Sequence, residues 1–171
     1  MNPEVSGRQI RPAVIDDLPS LLEIYNHAVR TTVATFDLDE FTLDERREWF
    51  SHYGGHYPLI VAEQDGVIAG YASLSRYREK AAYDRTVESS VYVHPKFHGQ
   101  GIGKALMVDI LERAKTCGHH VVIAGITSGN EASVRLHEGL GFQFVGRFRE
   151  VGHKFGQWQD VDFYQLILPE Q

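Results

Sequence analysis

Glu88-Ser-Ser-Val-Tyr-Val-His-Pro-Lys-Phe-His-Gly-Gln-Gly-Ile-Gly-Lys104 joins a strand pattern to a glycine-rich turn and then to the start of a helix. Glycines at positions 99, 101 and 103 let the backbone approach a ligand closely and direct free amides toward it. The N-terminus of the following helix adds a partial positive charge, so the segment suits a pyrophosphate. A tight strand-to-helix turn that binds no ligand is the alternative, and the segment alone leaves both open.

Two familiar phosphate-binding motifs do not fit this turn. The dinucleotide fingerprint requires a third glycine three residues after the second, and Lys104 stands there when the count starts from Gly99 and Gly101. The Walker motif requires a glycine five residues before its Gly-Lys pair and a hydroxyl residue after it, but His98 and Ala105 occupy those positions. A ligand bound here is therefore not held by either nucleotide motif.

Helix and strand patterns alternate through the rest of the chain. Thr42-Leu-Asp-Glu45 is a capping box that opens a helix, and Asp65-Gly66 between two apolar strands is a hairpin signal. Gly141 suits the left-handed cap that ends a helix. Strands are predicted at residues 9–15, 58–63, 67–74, 86–94, 121–127, 142–149 and 160–168, and helices at about 16–29, 42–50, 101–115 and 131–140. This order predicts an α/β fold with a mixed sheet.

Size and composition predict a single globular domain. The chain has 171 residues, of which 43% are hydrophobic and 23% charged, which is ordinary for a soluble protein with one core. We expect one domain over residues 1–171, with residues 1–8 as a poorly ordered tail. No apolar run approaches the roughly 18 residues of a membrane span, and no signal peptide is recognisable, so we expect no membrane partner.

The charge and the cysteine and histidine content argue against a nucleic-acid partner, an intrachain disulfide and a metal site. The net charge of −6 argues against a nucleic-acid partner, because phosphate binding requires a basic surface. Cys117 is the only cysteine, so no intrachain disulfide can form, and a reducing, cytoplasmic location fits. The nine histidines lack the spacing of a metal site, and no metal is predicted.

Two segments resemble the motifs of the GNAT acetyltransferases. Residues 98–103, His-Gly-Gln-Gly-Ile-Gly, are similar to the family's acetyl-CoA loop, Gln/Arg-x-x-Gly-x-Gly/Ala, except that His98 replaces the usual Gln or Arg. Residues 130–142 are similar to a second family element that follows in the expected order. The resemblance covers about residues 9–168. It implies a GNAT-like α+β fold, with a mixed, mostly antiparallel central sheet flanked by helices, and acetyl-CoA as the co-substrate.

Within that superfamily the sequence looks most like the phosphinothricin and methionine sulfoximine acetyltransferases. The segments that carry this likeness are residues 24–28, 83–93, 136–138 and 151–158. The resemblance implies an N-acetyltransferase, associated with herbicide resistance, that acetylates the α-amine of a phosphinothricin- or methionine sulfoximine-like amino acid by direct attack. It also implies a homodimer.

The same resemblance implies which residues bind the cofactor. In the superfamily, strand backbone holds the pantetheine arm, the glycine loop holds the pyrophosphate, and polar residues of a later helix contact the cofactor. The corresponding residues here are Val91, Tyr92, Val93, Gly99, Gln100, Gly101, Ile102, Gly103, Lys104, Asn130 and Ser133. His98 replaces a side chain that usually contacts the cofactor, so the resemblance does not extend to that one contact, whereas the backbone cradle is kept.

Glu88 and His137 are the candidate catalytic residues. Glu88 is an unusual choice in an otherwise apolar, serine-rich strand, and a general base, a carboxylate at a strand edge or a salt-bridged carboxylate would each explain it. The resemblance favours the base. His137 shares a helix face with Asn130 and Ser133 and stands where the superfamily usually has a tyrosine that protonates the departing thiolate. It could donate that proton, help to deprotonate the amine, or be a buried structural histidine.

The loop at residues 75–84 is expected to border the acceptor pocket. Arg78 can hold a carboxylate or phosphinate through two parallel hydrogen bonds. Tyr77, Tyr83 and Phe36 are expected to form walls, with Glu88 beside the amine. Phe36 lies where some relatives carry a bulkier tryptophan, which favours phosphinothricin without deciding the choice.

Two other functions remain open from the sequence. An acetyltransferase for another small amine, such as a polyamine or aminoglycoside, or for a protein N-terminus would use the same cofactor half. Cationic acceptors prefer carboxylates at the rim, however, whereas this loop is rich in arginine and lysine. A non-catalytic acetyl-CoA binding module would be expected to have lost Glu88 and His137, and both are present.

Overall fold

A computed structural model describes residues 7–170. Of the predicted tail, residues 1–6 lie outside this range, and Arg8 already belongs to the first strand. The strands in chain order are β1 (Arg8–Pro12), β2 (Leu59–Gln64), β3 (Val67–Arg76), β4 (Thr86–Val93), β5 (Val121–Thr127), β6 (Gln143–Lys154) and β7 (Gln157–Ile167). The α-helices are α1 (Leu18–Thr31), α2 (Leu43–Ser51), α3 (Ile102–Thr116) and α4 (Glu131–Gly139).

The strands form one sheet in the order β1-β2-β3-β4-β5-β7-β6. Neighbouring strands are antiparallel, apart from the parallel pair β4 and β5. The β2–β3 hairpin turns at Asp65 and Gly66, whose φ angles of 51° and 81° are those of the mirror-image turn that matches strand twist. The predicted fold, a mixed and mostly antiparallel sheet flanked by helices, is confirmed.

The pairing of β4 with β5 ends early and leaves a fork in the sheet. These strands pair only over Thr86–Glu88 and Val121–Ile123. Beyond Glu88, β4 continues to Val93 beside β3 alone, and β5 continues to Thr127 beside β7 alone. Two strand edges therefore face each other across a gap that begins at Glu88.

Both faces of the sheet are covered, and the β4 side chains alternate between them as their period of two requires. Val87 is buried with the core under α3, which includes Leu106 and Ile110. Tyr92 packs on the opposite face, against the cluster under α1 and α2 that contains Tyr71. Fully burying one such large apolar side chain contributes roughly 1.5–3 kcal/mol to stability.

Local signals in the sequence locate most boundaries, and the last hairpin is the main exception. The Thr42 hydroxyl accepts a hydrogen bond from the amide of Glu45 at 3.3 Å, which confirms the capping box. The predictions of strands at 142–149 and 160–168 are too short, because β6 and β7 meet in a two-residue turn at Phe155 and Gly156. A register shift between Phe148 and Gly152 interrupts the alternation of β6. Among the helices of the described chain, none is long and apolar enough to cross a membrane.

Candidate active site

The fork opens into a groove of about 840 Å³ that runs from the sheet to the start of α3. A smaller cavity of about 190 Å³ adjoins it at the closed end of the fork. Both hollows are lined on one side by Val91 and Tyr92 of β4. On the other side they are lined by Thr127 at the end of β5 and by Asn130 and Ser133 at the start of α4. The fork, the glycine loop and the N-terminus of α4 therefore surround one continuous site.

The glycine loop forms the outer end of the groove. Gly99 and Gly101 both have φ of 76°, a left-handed conformation that glycine adopts at little cost. Gly101 is the N-cap of α3 and lines the groove together with Ile102 and Gly103. The two remaining predicted loop residues, Gln100 and Lys104, are exposed and do not line it. The residues that open α3 therefore line the groove, and the free amides of a helix N-terminus suit a pyrophosphate.

The free edge of β4 presents alternate residues to the groove. In an antiparallel strand, the amide and the carbonyl of one residue point to the same side, and those of the next residue point to the other side. The amide of His94 donates to the carbonyl of Ala69 at the β3 side, so Tyr92 also faces β3, whereas Val91 and Val93 face the fork. His98, the departure from the family pattern, uses its Nε2 to donate to the Val93 carbonyl at 3.0 Å.

Glu88 lies where the fork begins. Its side chain borders the smaller cavity, with one carboxylate oxygen 3.9 Å from the position that a Cβ on Gly125 would occupy. Within the described chain, no hydrogen bond or ion pair holds this carboxylate, and burial raises the pKa of Glu88. This half-buried carboxylate has no cationic partner among the described residues, so it is not salt-bridged, and it lies where β4 becomes a free edge. It is free to accept a proton.

His137 lies in the same cavity and is almost fully buried. Its Nδ1 donates to the Ser133 carbonyl at 2.7 Å, which leaves Nε2 as the ring's acceptor in the neutral form. Burial lowers the pKa of His137 and favours that neutral form. Asn130 caps α4, its Oδ1 accepting from the Ser133 amide at 3.2 Å, so its amide group is available to the groove. The predicted trio thus lies on one face of α4 beside Glu88.

Phe36 occupies a loop whose support the sequence did not reveal. A Cβ on Gly152 would lie only 2.4 Å from the Phe36 ring, so the ring rests directly on the β6 backbone. Two hydrogen bonds hold carbonyl groups of this loop. The hydroxyl of Thr127 donates to the carbonyl of Val33 at 2.6 Å. The buried ammonium of Lys154 donates to Thr35 at 2.8 Å. Burial lowers the pKa of Lys154. Gly152, Thr127 and Lys154 are residues that sequence reasoning missed.

The remaining predicted acceptor residues form a separate cluster. Tyr77 and Tyr83 pack with ring centroids 5.5 Å apart, and the Arg78 guanidinium stacks 4.9 Å from the Tyr77 ring. The lining of neither hollow includes these three residues, and it does not include Phe36. Arg76 beside them is engaged by Asp84 at 2.9 Å. No carboxylate of a described residue pairs with Arg78.

These residues fit acetyl-CoA on two observations. The backbone of Gly101 has a left-handed conformation at the mouth of the groove. The hydroxyl of Ser89, in the smaller cavity, is buried without a hydrogen-bond partner. An elongated groove with a helix N-terminus at one end and unpaired strand edges along it suits a cofactor that has an anionic pyrophosphate and an amide-bearing pantetheine arm. Over residues 7–170, no three His, Cys, Asp or Glu side chains are grouped to hold a metal ion.

Comparison with known proteins gives a consistent assignment. The acetyltransferase (GNAT) family matches residues 20–142. The phosphinothricin N-acetyltransferase of Streptomyces coelicolor is 44% identical over 170 residues, covering 97% of this chain and 99% of its own. The L-methionine sulfoximine/L-methionine sulfone acetyltransferase of Salmonella typhimurium is 43% identical over 162 residues, covering 94% and 95%.

A solved structure extends the likeness to the whole fold. The protein yncA of Salmonella typhimurium, solved with its cofactor acetyl-CoA, superposes with a TM-score of 0.93 at 42% identity, covering 97% of this chain and 96% of that one. The chain therefore belongs to the acetyltransferase (GNAT) family and is an N-acetyltransferase whose acetyl donor is acetyl-CoA.

Proposed function

We propose that this enzyme acetylates the α-amine of an amino acid whose side chain ends in a polar tetrahedral group, as in phosphinothricin and methionine sulfoximine. Glu88 is the general base of the reaction. The observation that carries the proposal is the position of Glu88, an unpartnered, half-buried carboxylate at the closed end of the fork. The names of the two relatives supply the class of acceptor.

Proton removal from the acceptor is the first requirement, because an α-amine is largely protonated at neutral pH. Burial raises the pKa of Glu88, which makes this carboxylate a stronger base than an exposed glutamate. The Glu88 oxygen takes the proton from the ammonium nitrogen, directly or through one water. The neutral nitrogen then has its lone pair free for attack.

The β4 edge orients the donor. When bound, acetyl-CoA supplies the thioester carbonyl that the amine attacks and the thiolate that leaves. Val91 and Val93 are the residues whose backbone groups face the fork. The Val93 carbonyl already accepts from His98, so we assign the strand-like hydrogen bonds to the Val91 groups and to the Val93 amide. The backbone of Tyr92 faces β3, so Tyr92 contributes only its side chain, as part of the groove wall. Asn130 and Ser133 provide polar contacts at the α4 side, and the glycine loop receives the pyrophosphate.

His137 acts as a proton acceptor. Its Nδ1–H is committed to the Ser133 carbonyl, and the lowered pKa keeps the ring neutral, so Nε2 carries a lone pair. A neutral ring in this tautomer has no proton on Nε2 to give to a thiolate. It can take a proton released during attack and return it to the leaving sulfur afterwards.

Arg78 is the residue we assign to the acceptor's oxygen-bearing group. It has no acidic partner in the described chain and lies on the loop that leads from β3 to β4, ahead of Glu88. Tyr77 and Tyr83 stabilise that loop through their ring contact, and we assign Phe36 to another wall of the acceptor pocket. Acceptor discrimination between phosphinothricin and methionine sulfoximine would depend on how Phe36 is seated.

Steady-state release of thiol with a panel of amines tests the acceptor class. The panel contains phosphinothricin, methionine sulfoximine, ordinary amino acids, spermidine, kanamycin and a peptide with a free N-terminus. We expect the first two to have the highest kcat/KM. Arg78→Ala should lower it for them by about 10- to 100-fold, the worth of hydrogen bonds to a charged group, whereas the exposed Arg47→Ala should not. A polyamine, aminoglycoside or peptide leading by tenfold would overturn the acceptor assignment.

We also propose that the enzyme is a homodimer that works in the cytoplasm. Large apolar side chains are exposed along the β6–β7 hairpin, among them Phe148, Phe155 and Trp158. A second copy of this chain would cover them. Light scattering should give twice the monomer mass for the wild type and the monomer mass for Phe148→Glu; a monomeric wild type at assay concentration would contradict this. Acetylation of phosphinothricin by such an enzyme would confer resistance to that herbicide.

A further inference from the structure

The side chain of Arg8 reaches from β1 to the glycine loop, 92 residues later in the chain. Its Nη2 donates to the carbonyl of Gln100 at 2.8 Å, and its Nε donates to the side chain of Gln64 at 3.1 Å. Its Nη1 lies 3.8 Å from the position that a Cβ on Gly101 would occupy. Among residues 7–170, no carboxylate lies at ion-pair distance from this guanidinium.

The hydrogen bond to Gln100 fixes the peptide plane that joins Gln100 to Gly101. In a trans peptide, the carbonyl and the following amide point in opposite directions. With the Gln100 carbonyl held toward Arg8, the Gly101 amide points away from Arg8. Gly101 lines the groove and Gln100 does not, which agrees with this orientation.

Gly101 makes that plane easy to rotate unless something holds it. Glycine populates positive and negative φ about equally, so the left-handed angle of 76° at this residue is permitted but not enforced by its own sterics. Arg8 supplies the missing constraint from outside the loop, through a charge-assisted hydrogen bond. Its bond to Gln64 on the neighbouring β2 strand in turn fixes the guanidinium.

We propose that Arg8 is a positioning residue for the pyrophosphate cradle: it holds the Gln100–Gly101 peptide so that the Gly101 amide faces the donor's pyrophosphate. It acts through the loop and does not touch the reacting atoms. Its positive charge adds to that of the α3 N-terminus, so both effects favour an anion at this end of the groove.

Two acetyl donors separate this role from a general structural one. Acetyl-CoA carries the pyrophosphate, and S-acetyl-N-acetylcysteamine carries the same thioester without it. Arg8→Met should raise the Kd for acetyl-CoA by about tenfold, near the lower end for a hydrogen bond to a charged group, and should leave kcat/KM with the short donor within about twofold. Arg8→Lys, which can still donate to the Gln100 carbonyl, should recover most of the affinity.

Isothermal titration and thiol release provide the two readouts, with Arg47→Met as a control that removes an exposed arginine from α2. If Arg8→Met does not fold, Arg8→Gln is measured instead, because its side chain is too short to reach Gln100, and the same changes are expected. An unchanged Kd for acetyl-CoA would overturn the proposal. So would an equal loss with both donors, or a loss in Arg8→Lys as large as that in Arg8→Met.

Discussion

Gly152→Ala should impair acceptor turnover by displacing Phe36, the proposed wall of the acceptor pocket. The new methyl carbon would lie 2.4 Å from one Phe36 ring carbon and 2.7 Å from two others. Carbon atoms in contact are about 3.5 Å or more apart, so the ring must move by roughly 1.1 Å. Gly152 does not have a left-handed φ, so alanine suits its backbone and the steric conflict with Phe36 is the main effect.

The loop that carries Phe36 cannot follow the ring freely. Thr127 and Lys154 hold the carbonyls of Val33 and Thr35, so the displacement must be met by an off-rotamer ring or by a broken hydrogen bond. Overpacking of this kind costs about 1–3 kcal/mol. A 1 Å misplacement at a substrate wall can lower the rate by about 100-fold. We therefore expect kcat/KM for phosphinothricin to fall by about 10- to 100-fold.

The assay compares kcat/KM for the acceptor with the Kd for acetyl-CoA, which should stay within about twofold. Gly146→Ala on the same strand is the matched control, because nothing lies within 4 Å of its added Cβ. Phe36→Leu in the Gly152→Ala background should cost less than the sum of the two single changes, since the smaller side chain relieves the overlap. Wild-type turnover of phosphinothricin by Gly152→Ala would refute the proposal that Phe36 forms a wall of the acceptor pocket.

Three further changes test separate parts of the structure. Gly101→Val should raise the Kd for acetyl-CoA at least tenfold, because a β-branched residue is strained at φ 76°, and isothermal titration measures this. Tyr71→Phe should lower the free energy of unfolding by about 1.5–3 kcal/mol in urea titrations, since it leaves the buried Arg46 guanidinium without the acceptor it meets at 2.8 Å. Glu88→Gln should raise the melting temperature near pH 7. Burial raises the pKa of Glu88 in the folded state. The contribution of Glu88 to stability is therefore fully present below the pKa of an ordinary carboxyl group, and it is lost as the pH rises through the raised pKa of the folded state. The gain in Glu88→Gln should therefore vanish in acid.

Features that depend on neighbouring residues in the sequence were predictable. The capping box at Thr42, the turn at Asp65 and Gly66, and the glycine loop before α3 each follow from a few consecutive residues whose conformations have few alternatives. The alternation that places Glu88 and Val87 on opposite faces of β4 follows from the period of a strand. The family resemblance supplied the grouping of Glu88 with His137.

Features that depend on distant residues were not predictable. Gly152 meets Phe36 only because β6 returns beside the loop after α1, and Arg8 meets Gln100 because β1 runs beside β2 near the start of α3. The tip of the last hairpin places Phe155 at φ 52°, a conformation that its residue type does not suggest. The sequence accordingly predicted a loop there instead of a longer pair of strands.

The pH dependence of kcat/KM in Glu88→Gln tests the central claim most directly, with Glu48→Gln as a control for an exposed glutamate on α2. The wild type should lose activity in acid with an apparent pKa above that of an ordinary glutamate, because burial raises the pKa of Glu88. Glu88→Gln should lack that acidic limb. Its kcat/KM at neutral pH should be lower by about 10²–10⁴-fold, the usual contribution of a positioned base. Part of this loss should be recovered as rising pH frees the amine. A pH profile in Glu88→Gln that matches the wild type in shape and height would contradict the assignment of Glu88 as the base.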